Sequence, residues 1–201
     1  MRLGLTGGIA CGKSLADAFF RKKGVPVLDA DELVHALQGP GGVLAAGIGE
    51  EFGTAFLQDD GAVDRRRLGQ LVFADRHSLA RLNAVSQPVI RKAISQVIAR
   101  NEAKLAIYDL PLLFEQNYEG LFDKTLVIAA PQRLQLARLM ARDGLNQAEA
   151  EQRLASQLPL SVKIKRADFV IWNDGSQALF TDRLAEFLEK LENDYDLSAL
   201  S

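Results

Sequence analysis

The chain has 201 residues, of which 48% are hydrophobic and 25% charged, and carries a formal net charge of −2. That size suits one domain, with room for a small inserted subdomain. A near-neutral balance supplies no overall field to recruit nucleic acid or an anionic membrane. Apolar runs stay short of spanning length, Lys13 interrupts any signal-like opening, and a single cysteine leaves no internal disulfide. A cytoplasmic protein, monomeric or a weak homo-oligomer, is the expectation.

Leu3, Leu5 and Thr6 read as a first strand, and Lys13 to Lys23 as a helix ending at Gly24. Between them Gly7-Gly8-Ile9-Ala10-Cys11-Gly12-Lys13-Ser14 spells G-x-x-x-x-G-K-[ST], the nucleoside-triphosphate P-loop. Glycines let the backbone approach an anion closely, so that successive N–H groups converge on phosphate oxygens. The helix that follows presents its positive end to the same charge. In this pattern Lys13 reaches the β- and γ-phosphates and the Ser14 hydroxyl ligates Mg²⁺. Cys11 lies at a helix N-terminus, where a thiol can ionise easily, so an oxidisable site is one expectation and a tolerated small residue the other.

Val25 to Leu28 is a second apolar run, stopped by Asp29-Ala30-Asp31. In open α/β sheets ligands bind beyond the carboxyl ends of strands, which is where Asp29 and Asp31 fall. A kinase needs a carboxylate there to orient an acceptor hydroxyl and take its proton; capping of the next helix is the plainer role for one of them. From Val43 to Arg100 the apolar spacing is helical, with breaks expected at Asp59-Asp60-Gly61 and Pro88. Helices without strands inside an α/β core suggest an acceptor-binding insertion.

Leu105 to Tyr108, Leu126 to Ala130 and Phe169 to Trp172 supply three further strands, for five in all. The third runs into Asp109-Leu110-Pro111-Leu112-Leu113-Phe114-Glu115, which sets Glu115 on the ligand side, to hold the acceptor or a Mg²⁺-bound water. Pro131 opens a helical excursion, Leu134 to Arg166, in which Arg138 and Arg142 share a helix face and Asn146-x-x-Glu149 has the form of a capping box. Guanidinium groups on such a lid would neutralise charge developing in phosphoryl transfer. The runs Arg65-Arg66-Arg67 and Lys163-Ile164-Lys165-Arg166 read as solvated faces that an anionic acceptor could also meet. A final helix spans Ala178 to Leu191, with a frayed tail expected after Asn193. His35 and His77 have no ligand partners at metal-binding spacing. The fold expected is α/β, a P-loop-type five-stranded parallel sheet flanked by helices, with a helical insertion at about 40–102 and a lid at about 132–166.

These blocks together resemble the dephospho-coenzyme A kinase family. The similarity takes in Gly4 to Ser14, Asp29-Ala30-Asp31, Asp60-Gly61-Ala62-Val63-Asp64-Arg65 with Leu68 and Phe73, Pro111 to Glu115, Arg138-x-x-x-Arg142-Asp143-Gly144, Gln157, and Ala167-Asp168 through Asn173-Asp174-Gly175-Ser176, and so covers nearly the whole chain. It implies an ATP- and Mg²⁺-dependent kinase that phosphorylates the ribose 3′-hydroxyl of dephospho-CoA. Asp31 would be the base, with Lys13 and Arg142 also catalytic. Gly8, Ile9, Ala10, Cys11, Gly12, Lys13, Ser14, Leu15, Arg138 and Asn173 would hold the nucleotide. Asp29, Asp31, Arg65, Leu113 and Glu115 would meet the acceptor, and Ser14 the metal. Two departures from the family pattern stand out, Cys11 in place of a serine and Gln87-Pro88 in place of His-Pro. Rival readings are a kinase of another small hydroxyl acceptor and a GTPase-type switch. The second lacks its [NT]-K-x-D and D-x-x-G motifs.

Overall fold

The computed structural model describes residues 1–197 and divides into two compact units. The first contains residues 1–29 and the chain from Asn101 onward; the second is Ala30–Arg100.

In the first unit five parallel strands form one sheet: β1 (Arg2–Gly7), β2 (Val27–Asp29), β3 (Ala106–Asp109), β4 (Lys124–Ala129) and β5 (Phe169–Trp172). Their order is β2-β3-β1-β4-β5, so the loop strand β1 is central. Each expected strand is present, β5 with the bounds expected and the others with ends displaced by one or two residues. Alternation along β1 sends Leu3 and Leu5 into a core with Phe20, Ile107, Leu126, Ile128, Phe180 and Leu184. Gly4 faces the other way, where a Cβ would stand 2.6 Å from Phe122 and 2.8 Å from Leu113. The register pairs Asp29 with Asp109, and Leu5 with both Asp109 and Leu126, so that β1, β2 and β3 end side by side.

The helices of this unit are α1 (Lys13–Lys22), α6 (Gln132–Asp143), α7 (Gln147–Ala155), α8 (Leu160–Arg166) and α9 (Gln177–Asp194). The capping box forms as read: Asn146 Oδ1 accepts from the Glu149 amide at 3.0 Å, and Glu149 Oε2 from the Asn146 amide at 2.9 Å. α9 continues past the expected end to Asp194, and Leu197 is buried in the core. The rest of the expected tail, residues 198–201, lies outside the described residues.

The second unit holds α2 (Ala30–Leu37), α3 (Val43–Phe52), α4 (Arg65–Ala74) and α5 (Arg76–Arg100). Leu44, Ala45, Ile48, Val63, Leu68 and Val72 form its own core, with Leu82, Val89 and Ile90 packed on it. The turn at Gly61 is present, closed by a bridge from Leu57 to Val63. Pro88 does not break the helix as expected: it lies inside the 25 residues of α5. Proline forfeits one backbone hydrogen bond there, and burial of the apolar face on both sides of it, through Leu82, Val89 and Ile90, holds the helix through the gap.

Candidate active site

The loop between β1 and α1 is shaped by its two inner glycines. Gly12 takes φ +96°, and a Cβ there would stand 2.2 Å from Asn173 Nδ2. Gly8 faces Gln135, whose Oε1 would lie 2.7 Å from an added Cβ. Glycine is thus required at position 12 for its left-handed backbone, and at position 8 a side chain would have to displace the Gln135 amide. Cys11 N donates back to Gly8 O at 3.2 Å, which closes the turn.

Side chains from two other elements brace the loop from outside. Asn173, buried directly after β5, donates from Nδ2 to Cys11 O at 2.9 Å. Arg138 on α6 donates to Ala10 O at 3.4 Å, and to Asn173 O and Oδ1 at 3.1 and 3.3 Å. These carbonyls are therefore occupied from behind. Ile9 is half-buried, while Ser14 and Leu15, in the first turn of α1, are exposed. A cavity of about 570 Å³ opens beside the loop, lined among others by Gly8, Ile9, Gln135, Leu154, Leu158 and Trp172.

Lys13 is held by Asp109 at the end of β3, through a short contact between Nζ and Oδ2. The Asp109 side chain is 2% exposed and that of Lys13 20%, so the carboxylate is dry while the ammonium keeps some access to solvent. Burial raises the Asp109 carboxyl above its ordinary range, and Lys13 pulls it back in part. Asp17, one turn along α1 from Lys13, is pushed up to about 8, first by burial and then by Asp109. Asp17 drew no notice in the sequence, although an i, i+4 spacing from the loop lysine puts it on the same helix face.

The Cys11 thiol does not behave as a helix-terminal thiolate. It is 1% exposed, and burial pushes it up to about 11. The side chain is turned into the core below the loop, so the reading as an oxidisable site is corrected and Cys11 serves as a small apolar filler.

Glu115 is engaged from the side of the lid. Its Oε1 accepts from Lys163 Nζ at 2.8 Å and from the Leu158 amide at 3.1 Å. Lys163 is wholly buried and also donates to Pro111 O at 3.1 Å and Gly7 O at 3.3 Å. The expectation of a solvated basic run therefore fails at Lys163, because three oxygens converge on its ammonium and replace water. Nor is Arg166 purely solvated, since it donates to Phe114 O at 3.1 Å. Leu113 is fully buried against the underside of β1.

Arg142 sits in the last turn of α6 and is paired with Asp143 at 2.7 and 3.0 Å rather than drawn to the loop. Asp29 closes β2 beside Asp109. In the helical unit, Asp31 lies in the first turn of α2, and Arg65 begins α4, where it lines an open depression with Gln58, Asp64 and Arg66. Gln87 lies within α5.

A P-loop whose lysine meets a buried carboxylate, with two arginines on α6, is equipment that suits phosphoryl transfer. Comparison with known proteins narrows the choice. Residues 1–178 match the family model for dephospho-CoA kinase. The chain is 46% identical over 192 residues to a dephospho-CoA kinase of Anaeromyxobacter dehalogenans, covering 94% of this chain and 91% of that one. It is similar in structure to a dephospho-CoA kinase from Campylobacter jejuni, at a TM-score of 0.72 and 30% identity, with 96% of this chain and 98% of the other covered. A shikimate kinase from Bacteroides thetaiotaomicron shares the fold at a TM-score of 0.53 and 19% identity, over 96% and 98% of the two chains. A match that takes in the cradle, the helical unit and the lid, and not the P-loop alone, decides the matter: this chain belongs to the dephospho-CoA kinase family.

Proposed function

We propose that the protein transfers the γ-phosphoryl group of ATP to the ribose 3′-hydroxyl of dephospho-CoA, giving coenzyme A and ADP, in the cytoplasm. The observation that carries this reading is the family match through residue 178, which includes the whole 30–100 unit where acceptor choice would reside.

The triphosphate would lie on the amides of Gly8 to Ser14, with Lys13 exchanging Asp109 for the β- and γ-phosphates. The carbonyls of Ala10 and Cys11 are tied to Arg138 and Asn173 and the Cys11 amide to Gly8 O, so the other loop amides would meet the anion. Ser14, exposed in the first turn of α1, would hold Mg²⁺, whose charge would offset that of the phosphates. Asp31 would accept the proton of the 3′-hydroxyl as its oxygen bonds to the γ-phosphorus. The bond from that phosphorus to the β–γ bridging oxygen breaks, and ADP departs. Arg142, released from Asp143, would face the charge that spreads over the transferring group. Arg65 and Asp29 would meet the acceptor. Glu115 would act on it indirectly, since Lys163 already takes one of its oxygens.

ATP consumption against a panel of hydroxyl acceptors tests the proposal. Dephospho-CoA should stimulate turnover, whereas shikimate and nucleosides should not. Stimulation by one of those and not by dephospho-CoA would replace this reading with that of a kinase for another acceptor.

A further inference from the structure

At the foot of the phosphate loop two carboxyl groups meet. Asp109 Oδ2 takes Lys13 Nζ, but Asp109 Oδ1 is buried with no donor, and so is Asp17 Oδ1. The two carboxyls act on each other across this corner, the charge of Asp109 adding to burial in holding the proton on Asp17. An orphaned buried oxygen is costly, and two of them side by side are satisfied together if one proton lies between them. The charges that act most on Asp17 belong to this corner: Asp109 at the end of β3, Lys13 on its own helix and Asp29 at the end of β2.

We propose that Asp17 is a positioning residue for the loop lysine, acting through Asp109: its proton caps the buried Asp109 oxygen and leaves a single negative charge opposite Lys13. This rests on the reading that Lys13 holds the triphosphate. With the proton in place, Lys13 faces one carboxylate and can leave it for an incoming polyanion. Loss of the proton puts a second carboxylate beside the first, with Asp29 nearby. The lysine is then gripped more firmly, and the added negative charge opposes ATP. Linkage makes the effect reciprocal, since bound triphosphate favours the protonated pair. Asp17 loses its proton at about pH 8 in the fold, so the change falls within reach of an ordinary assay.

The test compares wild type with Asp17→Asn and Asp17→Ala, measuring KM for ATP and kcat at saturating dephospho-CoA from about pH 6.5 to about pH 9.5. The wild-type KM should rise about tenfold for each pH unit by which ATP displaces the Asp17 titration, with a smaller change in kcat. Asparagine keeps a donor at every pH, so Asp17→Asn should show a flat KM. Asp17→Ala should show a raised KM throughout. A KM profile for Asp17→Asn that follows the wild-type rise overturns the proposal. Carbon-13 titration of the aspartate carboxyls supplies a reading independent of activity. One carboxyl should titrate near pH 8 in the wild type and vanish in Asp17→Asn, and titration of all of them below about pH 5 would equally overturn the idea. Failure of the underlying reading looks different: Lys13→Ala would then bind ATP as well as the wild type does.

Discussion

Lys163 Nζ lies 2.8 Å from Glu115 Oε1, in an ion pair whose lysine has no exposed side-chain surface. The same ammonium reaches the carbonyls of Gly7 and Pro111, so one buried cation ties α8 to the last residue of β1 and to the segment after β3. Removal of one partner from such a pair leaves an uncompensated charge, at about 3–5 kcal/mol. Lys163→Met should lower stability by that amount in urea unfolding, and Lys163→Met with Glu115→Gln should recover part of it. Equal losses in the single and double variants would show that the pair is not the cause.

Lys13→Ala removes the cation that is proposed above to exchange Asp109 for the phosphates. Nucleotide affinity and rate should fall together, with kcat lower by about 10²-fold or more. Equilibrium binding of ATP and steady-state rates separate the two losses.

Asp31→Asn should leave ATP affinity intact while kcat falls by about 10²-fold or more, as expected for loss of a general base. Near-normal turnover would remove Asp31 from that role.

Asp17 also imposes a pH dependence on stability. Its carboxyl ionises at about 8 in the fold and near its ordinary 3.8 in the unfolded chain. Between those values the folded state holds the extra proton, so stability falls as pH rises and levels off above pH 8 or so. Asparagine has no such proton to lose. The Tm of Asp17→Asn, relative to wild type, should therefore improve from about pH 5 to about pH 8. A constant difference between the two would contradict the buried titration.

Cys11 should resist thiol reagents in the native protein and react fully in urea, because the thiol is 1% exposed and raised to about 11. Peroxide should leave kinase activity unchanged. Rapid native labelling by a maleimide would contradict the packing described.

The sheet was legible because each strand is a short apolar run ended by Gly, Asp, Pro or Asn, and the P-loop because its spacing is dictated by phosphate geometry. Pro88 misled, since local propensity cannot weigh the packing of Leu82 and Ile90 on either side of it. Lys163 and Asp17 escaped for a related reason. A charged residue in a polar helix looks solvated until the chain folds and brings Glu115 or Asp109, distant in sequence, against it. Cys11 was ambiguous because the loop sequence does not say which way its side chain turns.

The helical unit joins the rest of the chain only at residues 29–30 and 100–101, and the whole phosphate cradle, from Gly8 and Lys13 to Arg138 and Asn173, lies outside it. In the function proposed above, the donor's contacts lie outside residues 30–100, while the acceptor contacts Asp31 and Arg65 lie inside them and Asp29 stands at their border. A lineage can remodel one while the other stays under its own selection, and chimaeras that exchange residues 30–100 with those of another family member offer a direct route to altered acceptor preference.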